Sequence, residues 1–272
     1  MIIFYKPLLR LAISCLVICS FSAVSAQIVI NEYSAANLDR DADDFGKHED
    51  WIELYNKGAA SVNLAGWYLS DTEDEPTLWK LGNNITIPAG GYLLFWCSGR
   101  DQGMHTNFRL TQTKNTAEVI VLANAAGAVV DKREMKKHQV HQSRGRTTDG
   151  AGTWSIFTEP TPGASNDDVP YYESYASKPV FDVEAGFYAG TQTVTITTDE
   201  PDAVIRYTTN GTEPKNSSSL YQAPIEITST KILKAKVFSS APEVLPSFIE
   251  YSTYFINVSH TLPVVSVGAD QL

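Results

Sequence analysis

Ile30-Asn31-Glu32-Tyr33 and, behind an acidic loop, Asp50-Trp51-Ile52-Glu53-Leu54-Tyr55-Asn56 decide how this 272-residue chain is read. The first stretch is a short apolar strand, and Asp39 to Asp50 is a polar, acidic loop. In the second stretch Ile52 and Leu54 alternate with Trp51, Glu53 and Tyr55. A period of two puts Ile52 and Leu54 on one face, the pattern of a half-buried strand. Short strands and turns recur from here at regular spacing, and no helix of three turns is evident after residue 26. The expected fold class is therefore all-β, built as two consecutive antiparallel β-sandwiches and not as a βαβ core.

Upstream of the first strand, Lys6 and Arg10 precede an apolar run from Leu11 to Phe21, and Val24-Ser25-Ala26 offers small residues to a signal peptidase. Residues 1–26 read as a secretory signal cleaved between Ala26 and Gln27, which makes the mature chain secreted or attached at the cell surface. The apolar run is about half of the ~20 residues that span a bilayer, so no stable membrane insertion is expected after cleavage. Ile18 stands where a lipidation signal before Cys19 needs a small residue.

Cleavage removes Cys15 and Cys19. Cys97 is then the only thiol, and an intramolecular disulfide is impossible. Because Cys97 follows the apolar run Tyr92-Leu93-Leu94-Phe95-Trp96, a buried, inert thiol is expected. The chain has 21 basic and 31 acidic residues; losing Lys6 and Arg10 leaves 19 basic ones and a net charge of −12. That balance disfavours nucleic acid as a partner, and Lys132-Arg133 with Lys136-Lys137 is too local to track a phosphate backbone.

Further phrases follow the opening strands in order. They are Val62-Asn63-Leu64-Ala65-Gly66-Trp67-Tyr68-Leu69-Ser70-Asp71, Ile87-Pro88-Ala89-Gly90-Gly91-Tyr92-Leu93-Leu94, Gly145-Arg146 with Asp149-Gly150 and Trp154, and Pro160-Thr161-Pro162-Gly163-Ala164-Ser165-Asn166. With the opening strands they span about 140 residues, the size of one domain. Residues 27–166 so read resemble the lamin tail domain family, and the resemblance implies an immunoglobulin-like β-sandwich.

From Pro160 to Pro179 the composition turns to Pro, Gly, Ser, Asn and Asp with three tyrosines, and residues 167–177 read as a linker. Alternation resumes at Thr193-Val194-Thr195-Ile196-Thr197 and at Lys231-Ile232-Leu233-Lys234-Ala235-Lys236-Val237, with Asn210-Gly211 as a tight turn between them. Gly186-Phe187-Tyr188, Val194-Thr195-Ile196, the run Ala203-Val204-Ile205-Arg206-Tyr207-Thr208-Thr209-Asn210-Gly211-Thr212-Glu213-Pro214 and Tyr221-Gln222-Ala223-Pro224-Ile225 resemble the chitobiase/β-hexosaminidase C-terminal-type domain. For residues 178–257 this implies a fibronectin III-like accessory sandwich without catalytic residues.

Residues 258–272 contain His260-Thr261-Leu262-Pro263-Val264-Val265-Ser266-Val267, read as a fresh apolar strand. The strand resembles the opening of the spore coat protein H-like family, whose members have an atypical kinase fold; a simple C-terminal edge strand accounts for the same residues. None of that family's nucleotide or metal motifs lies within this chain.

For chemistry, the acidic loop offers Asp39, Asp41, Asp43 and Asp50 as oxygen ligands for Ca2+, with Asp50 at the twelfth position where a hand-type loop closes. Asp44 stands where such a loop needs Gly, and Asp50 is shorter than the usual Glu. A solvated acidic loop is the simpler account of these residues. His138 and His141 lack a third ligand and are expected to be solvated. No nucleophile motif is present, so no catalytic residue is assigned and no organic cofactor is expected. Among the aromatics, Trp67 and Trp96 are expected in the core, and Trp79 and Tyr171-Tyr172 at a surface that meets a partner. The expected function is that of a secreted, non-catalytic adhesion, spacer or glycan-contact protein whose partner is a cell-surface glycan or protein. The alternative is the accessory region of a larger, spore coat protein H-like surface enzyme.

Overall fold

The computed structural model describes residues 27–266, and the expected signal peptide with its Ala26 cleavage position lies outside them. All regular structure among the described residues is β-strand. In the first domain a five-stranded sheet runs in the order Trp154–Phe157, Ser143–Arg146, Ile28–Ser34, Trp51–Asn56, Tyr92–Trp96, every pair antiparallel. Opposite it, Trp79–Lys80, Tyr68–Ser70, Val119–Ala123 and Val129–Glu134 form a four-stranded antiparallel sheet. Ile28, Ile30, Tyr33, Ile52, Leu54, Leu69, Phe95, Ile120 and Leu122 fill the space between them. Each such side chain contributes about 1.5–3 kcal/mol by leaving water.

The pairing of Ile28–Ser34 with Trp51–Asn56 shifts register between Ile30 and Glu32. That bulge, at Asn31, explains the Ile-Asn-Glu-Tyr phrase. Residues three apart on a regular strand point to opposite faces, whereas one inserted residue lets both Ile30 and Tyr33 enter the core and leaves Glu32 on the outer face. The half-buried reading of Trp51–Asn56 needs correction here, because Trp51 and Glu53 on the outer face are as inaccessible as Ile52 and Leu54. The segment from Pro160 to Asn166 covers that face, as its hydrogen bonds to Glu32 and Glu53 show.

In the second domain a five-stranded sheet runs in the order Gly186–Tyr188, Glu250–Ile256, Lys231–Phe238, Val204–Thr208, Ser219–Leu220. It is antiparallel except for its first pair, which is parallel. Two antiparallel pairs, Val180–Phe181 with Ile196–Thr197 and Gln192–Val194 with Ile225–Ile227, contribute to the same core, where Val194, Ile196, Leu233, Val237 and Tyr254 are buried. Gly211 takes a φ of 80°, a left-handed conformation suited to glycine at the expected turn.

Residues 167–177 are bonded to both domains. Tyr172 exchanges two backbone hydrogen bonds of 2.8 Å with Ile156, and Ser174–Tyr175 pairs in parallel with Val244–Leu245. The Tyr175 hydroxyl accepts a 2.9 Å bond from the Gln139 amide and donates to the Gln142 side chain, while its ring packs 4.8 Å from Phe248. The strand expected from His260 is not formed through Ser266. Glu250–Ile256 already has a partner on each side, and Pro263 brings no N–H to a ladder.

Candidate functional site

The phrases scattered along the first domain converge on one buried polar network. Glu32 and Glu53 are partners in adjacent strands, and Gly145 faces Glu32 from the other side. Thr161 donates to Glu32 through its amide (3.2 Å) and its hydroxyl (2.8 Å), Ser143 donates to Glu32 at 2.5 Å, and the Gly163 amide donates to Glu53 at 2.6 Å. Asn31, freed from the ladder by the bulge, uses its amide nitrogen to bond Glu53 (3.1 Å) and Asp149 (2.9 Å). Burial pushes the Glu53 carboxyl up to about 9, with the neighbouring Glu32 charge adding to it. Burial raises Glu32 as well. Asp149 goes the other way: its burial would raise it, but bonds from Ser165, Tyr92 and Asn31 outweigh that and hold the charged form. Because neither glutamate is accessible, the network holds the Pro160–Asn166 segment on the sheet and offers no surface to a ligand.

The acidic loop behaves differently from the hand-type reading. Asp39 pairs with His141 at 3.1 Å, Asp50 accepts from the Asn37 amide at 3.3 Å, and Asn37 also bonds the Asp41 carbonyl. Burial pushes Asp50 up to about 6. Asp41 and Asp50 thus both meet Asn37 while Asp39 meets His141, and of the four only Asp43 joins a compact group among the described residues. Its companions are Asp44 and His105, with one ligand atom from each residue all within 4.8 Å of one another. His105 Nε2 lies 2.6 Å from Asp44 Oδ1, and Nδ1 lies 3.0 Å from Ser98 Oγ. Asp43 Oδ1 accepts from the Phe45 amide at 2.9 Å and the Lys47 amide at 2.7 Å, while Asp43 Oδ2 is buried without a hydrogen-bond partner. Asp44 and His105 stand 61 positions apart, so spacing along the chain offered no signal for them.

Ser98, His105 and Asp44 line up as a hydroxyl, an imidazole and a carboxylate, but Ser98 and His105 are buried to 0% and 1% exposure. A substrate carbonyl cannot approach Ser98 Oγ in this arrangement. His138 also departs from expectation: it is buried, its Nε2 accepts from the Ala35 amide at 2.9 Å, and burial pushes it down to about 4. Trp79 was expected at the surface but lies in the core, with its ring edge-on to Phe95 and its Nε1 donating to Asp101 at 2.9 Å. Cys97 is buried, as its apolar strand implies, and burial raises its thiol.

The second domain carries an exposed aromatic surface. Phe187 and Phe255 stack with ring centres 4.5 Å apart and planes 14° from parallel, and His260 meets both edge-on. Phe187 is 50% exposed and Tyr251 42%. Beside them runs a groove of about 220 Å³ lined by Tyr251, Ser252, Thr253 and Val264. Phe187 stands on the parallel edge strand Gly186–Tyr188, whose position beside Glu250–Ile256 brings the two phenylalanines into register.

Residues 22–137 match the Lamin Tail Domain family and residues 183–245 match the Chitobiase/beta-hexosaminidase C-terminal domain family. The chain is also similar to an endoglucanase of Clostridium saccharobutylicum, 39% identical over 74 residues, which is 27% of this chain and 15% of that protein. The chain thus spans a small part of the curated relative it matches. Both matched families are immunoglobulin-like, in keeping with the two sandwiches seen here. This chain carries a lamin tail domain followed by a chitobiase/β-hexosaminidase C-terminal domain.

Proposed function

We propose that this chain is a non-catalytic, extracytoplasmic modular protein that contacts a cell-surface glycan through its second domain. The carrying observation is the exposed Phe187, stacked on the half-buried Phe255, with an adjoining groove lined by aromatic and hydroxyl side chains. A sugar ring presents C–H groups on one face and hydroxyls at its rim, so a flat aromatic platform next to Ser252 and Thr253 suits it. The chitobiase-type domain and the partial likeness to an endoglucanase support a carbohydrate context, and the signal read in residues 1–26 supports export. The first domain acts as the spacer. Retention of the purified chain on insoluble chitin and cellulose tests this reading. Binding above that of an unrelated acidic protein, reduced by Phe187→Ala, is the expected result; wild-type retention no better than the control on either polymer sinks it.

A second reading, in which the two domains are the accessory region of a larger surface enzyme such as a spore coat protein H-like protein, is favoured by one observation. The endoglucanase similarity covers a small fraction of a much longer protein. Reading the coding DNA beyond Leu272 separates the two.

A further inference from the structure

We propose that Asp43, Asp44 and His105 bind a divalent transition-metal ion of the zinc class, clamping the acidic loop to the segment that follows strand Tyr92–Trp96. Three observations carry this. One ligand atom from each residue already lies within 4.8 Å of the others, so a small inward movement of the side chains would let the three share one ion at about 2.0–2.2 Å. The Asp43 side chain is fully inaccessible, yet its Oδ2 has no hydrogen-bond donor. A buried carboxylate oxygen left without a partner is costly, and a cation supplies what it lacks.

The third observation is the orientation of the imidazole. His105 Nδ1 bonds Ser98 Oγ at 3.0 Å while Nε2 hydrogen-bonds Asp44 Oδ1 at 2.6 Å, so one nitrogen is anchored by a neighbour and the ion would replace the hydrogen bond on the other. Metal-bound histidines are held in this manner, because the second bond fixes the tautomer and the ring plane. Phe45 packs edge-on against the ring at 5.1 Å and restricts it further. Asp44 is 72% exposed at its side chain, which leaves an open approach for the ion and a place for a water ligand.

The donor set chooses the ion. Ca2+ takes oxygen ligands, six to eight of them, and an imidazole is a poor partner for it; two carboxylates and one imidazole suit Zn2+. The ion proposed here therefore differs from the one that the alternating aspartates suggested. It would tie residues 43–44 to residue 105 in a domain whose described residues hold one cysteine, Cys97.

The test uses the purified chain, stripped with EDTA and dialysed, then titrated with ZnCl2 or CaCl2 by calorimetry and followed in thermal melts. One equivalent of Zn2+ is expected to bind and to raise Tm, CaCl2 to do neither, and the His105 imidazole resonances to shift on Zn2+ addition. Asp44→Asn, which keeps an oxygen for His105, is expected to weaken Zn2+ binding at least tenfold, and the Tm of the metal-free variant reports separately what the lost charge costs the fold. Absence of Zn2+ binding by the wild type, unchanged affinity in Asp44→Asn, or Zn2+ binding that leaves the His105 resonances in place would each overturn the proposal. Glycan retention plays no part in these readouts.

Discussion

Glu32 and Glu53 face each other directly across strands Ile28–Ser34 and Trp51–Asn56, both inaccessible to solvent. Two carboxylates this close and this buried cannot both be charged without a large electrostatic cost, and burial accordingly shifts both toward the protonated form. Burial is the main cause of the Glu53 shift to about 9, and the Glu32 charge comes second.

The sign of the pH effect follows. Glutamate in the unfolded chain titrates near the ordinary value of 4.5, so between that and about 9 the native state holds a proton that the unfolded chain has released. Stability contributed by this group is complete below the unfolded value and falls as pH rises through the folded one. The melting temperature of the chain is expected to decline steadily from mildly acidic pH toward pH ~9. Glu53→Gln, which cannot ionise, should flatten that decline even if it loses about 1 kcal/mol from an imperfect hydrogen bond to Gly163 or Asn31. Scanning calorimetry across this range decides it; equal slopes for wild type and variant would mean that Glu53 is not the group that titrates.

Gly145 completes the same row. A methyl group at this position would stand 2.9 Å from both Asn166 Nδ2 and Glu32 Cγ and 3.1 Å from Phe157 Cε2, so all three must move. Gly145→Ala is expected to destabilise by about 1–3 kcal/mol, the usual result of overpacking. Gly152→Ala is the control, since nothing lies within 4 Å of its added methyl. Denaturant midpoints for both variants test the claim, which requires that only the first one falls.

How far the sequence disclosed this molecule depended on the range of the interaction. Alternation at Ile52 and Leu54, and again along Lys231–Phe238, is local and identified strands and sheet faces correctly. The cover over the outer face was not legible in the Trp51–Asn56 pattern, because Gly163 reaches Glu53 from 110 positions away. Trp79 was misplaced for a related reason. Its neighbours Thr77 and Lys80 are polar, but the indole is drawn inward by Phe95 and by a bond to Asp101, neither of them nearby in sequence. The metal candidates show the limit most clearly: Asp43 belongs to the alternating aspartates, whereas its two companions, Asp44 and His105, follow no spacing rule.

Tyr175 ties the segment between the domains to both of them, receiving the Gln139 amide and donating to Gln142 on one side while packing on Phe248 on the other. Burial pushes its hydroxyl up to about 12, so it stays a donor at every pH where the fold persists. Tyr175→Phe retains the ring and removes the hydroxyl, leaving the Gln139 amide and Gln142 without their partner at a cost of about 1–3 kcal/mol. Limited proteolysis should then cut within residues 166–178 several times faster than in the wild type. Identical cleavage rates would show that the backbone pairing of Ser174–Tyr175 with Val244–Leu245 holds the segment by itself.

Two aromatic residues should respond to truncation to very different extents. Trp79 is 5% exposed within the first core, so Trp79→Ala leaves a cavity between the sheets and an unpaired Asp101; a loss of about 3–5 kcal/mol is expected. Phe187 is 50% exposed, stacked on Phe255 and edge-on to His260, so Phe187→Ala gives up about 0.5–1.5 kcal/mol of ring contact and leaves the core of its domain intact. If Phe187 instead forms part of a glycan platform, its removal lowers polysaccharide retention far more than it lowers the melting temperature. Measuring both quantities on both variants separates packing from contact. A Phe187→Ala protein that melts with the wild type and is retained equally well on chitin and cellulose would remove the aromatic pair from the binding surface, whatever the rest of the domain does.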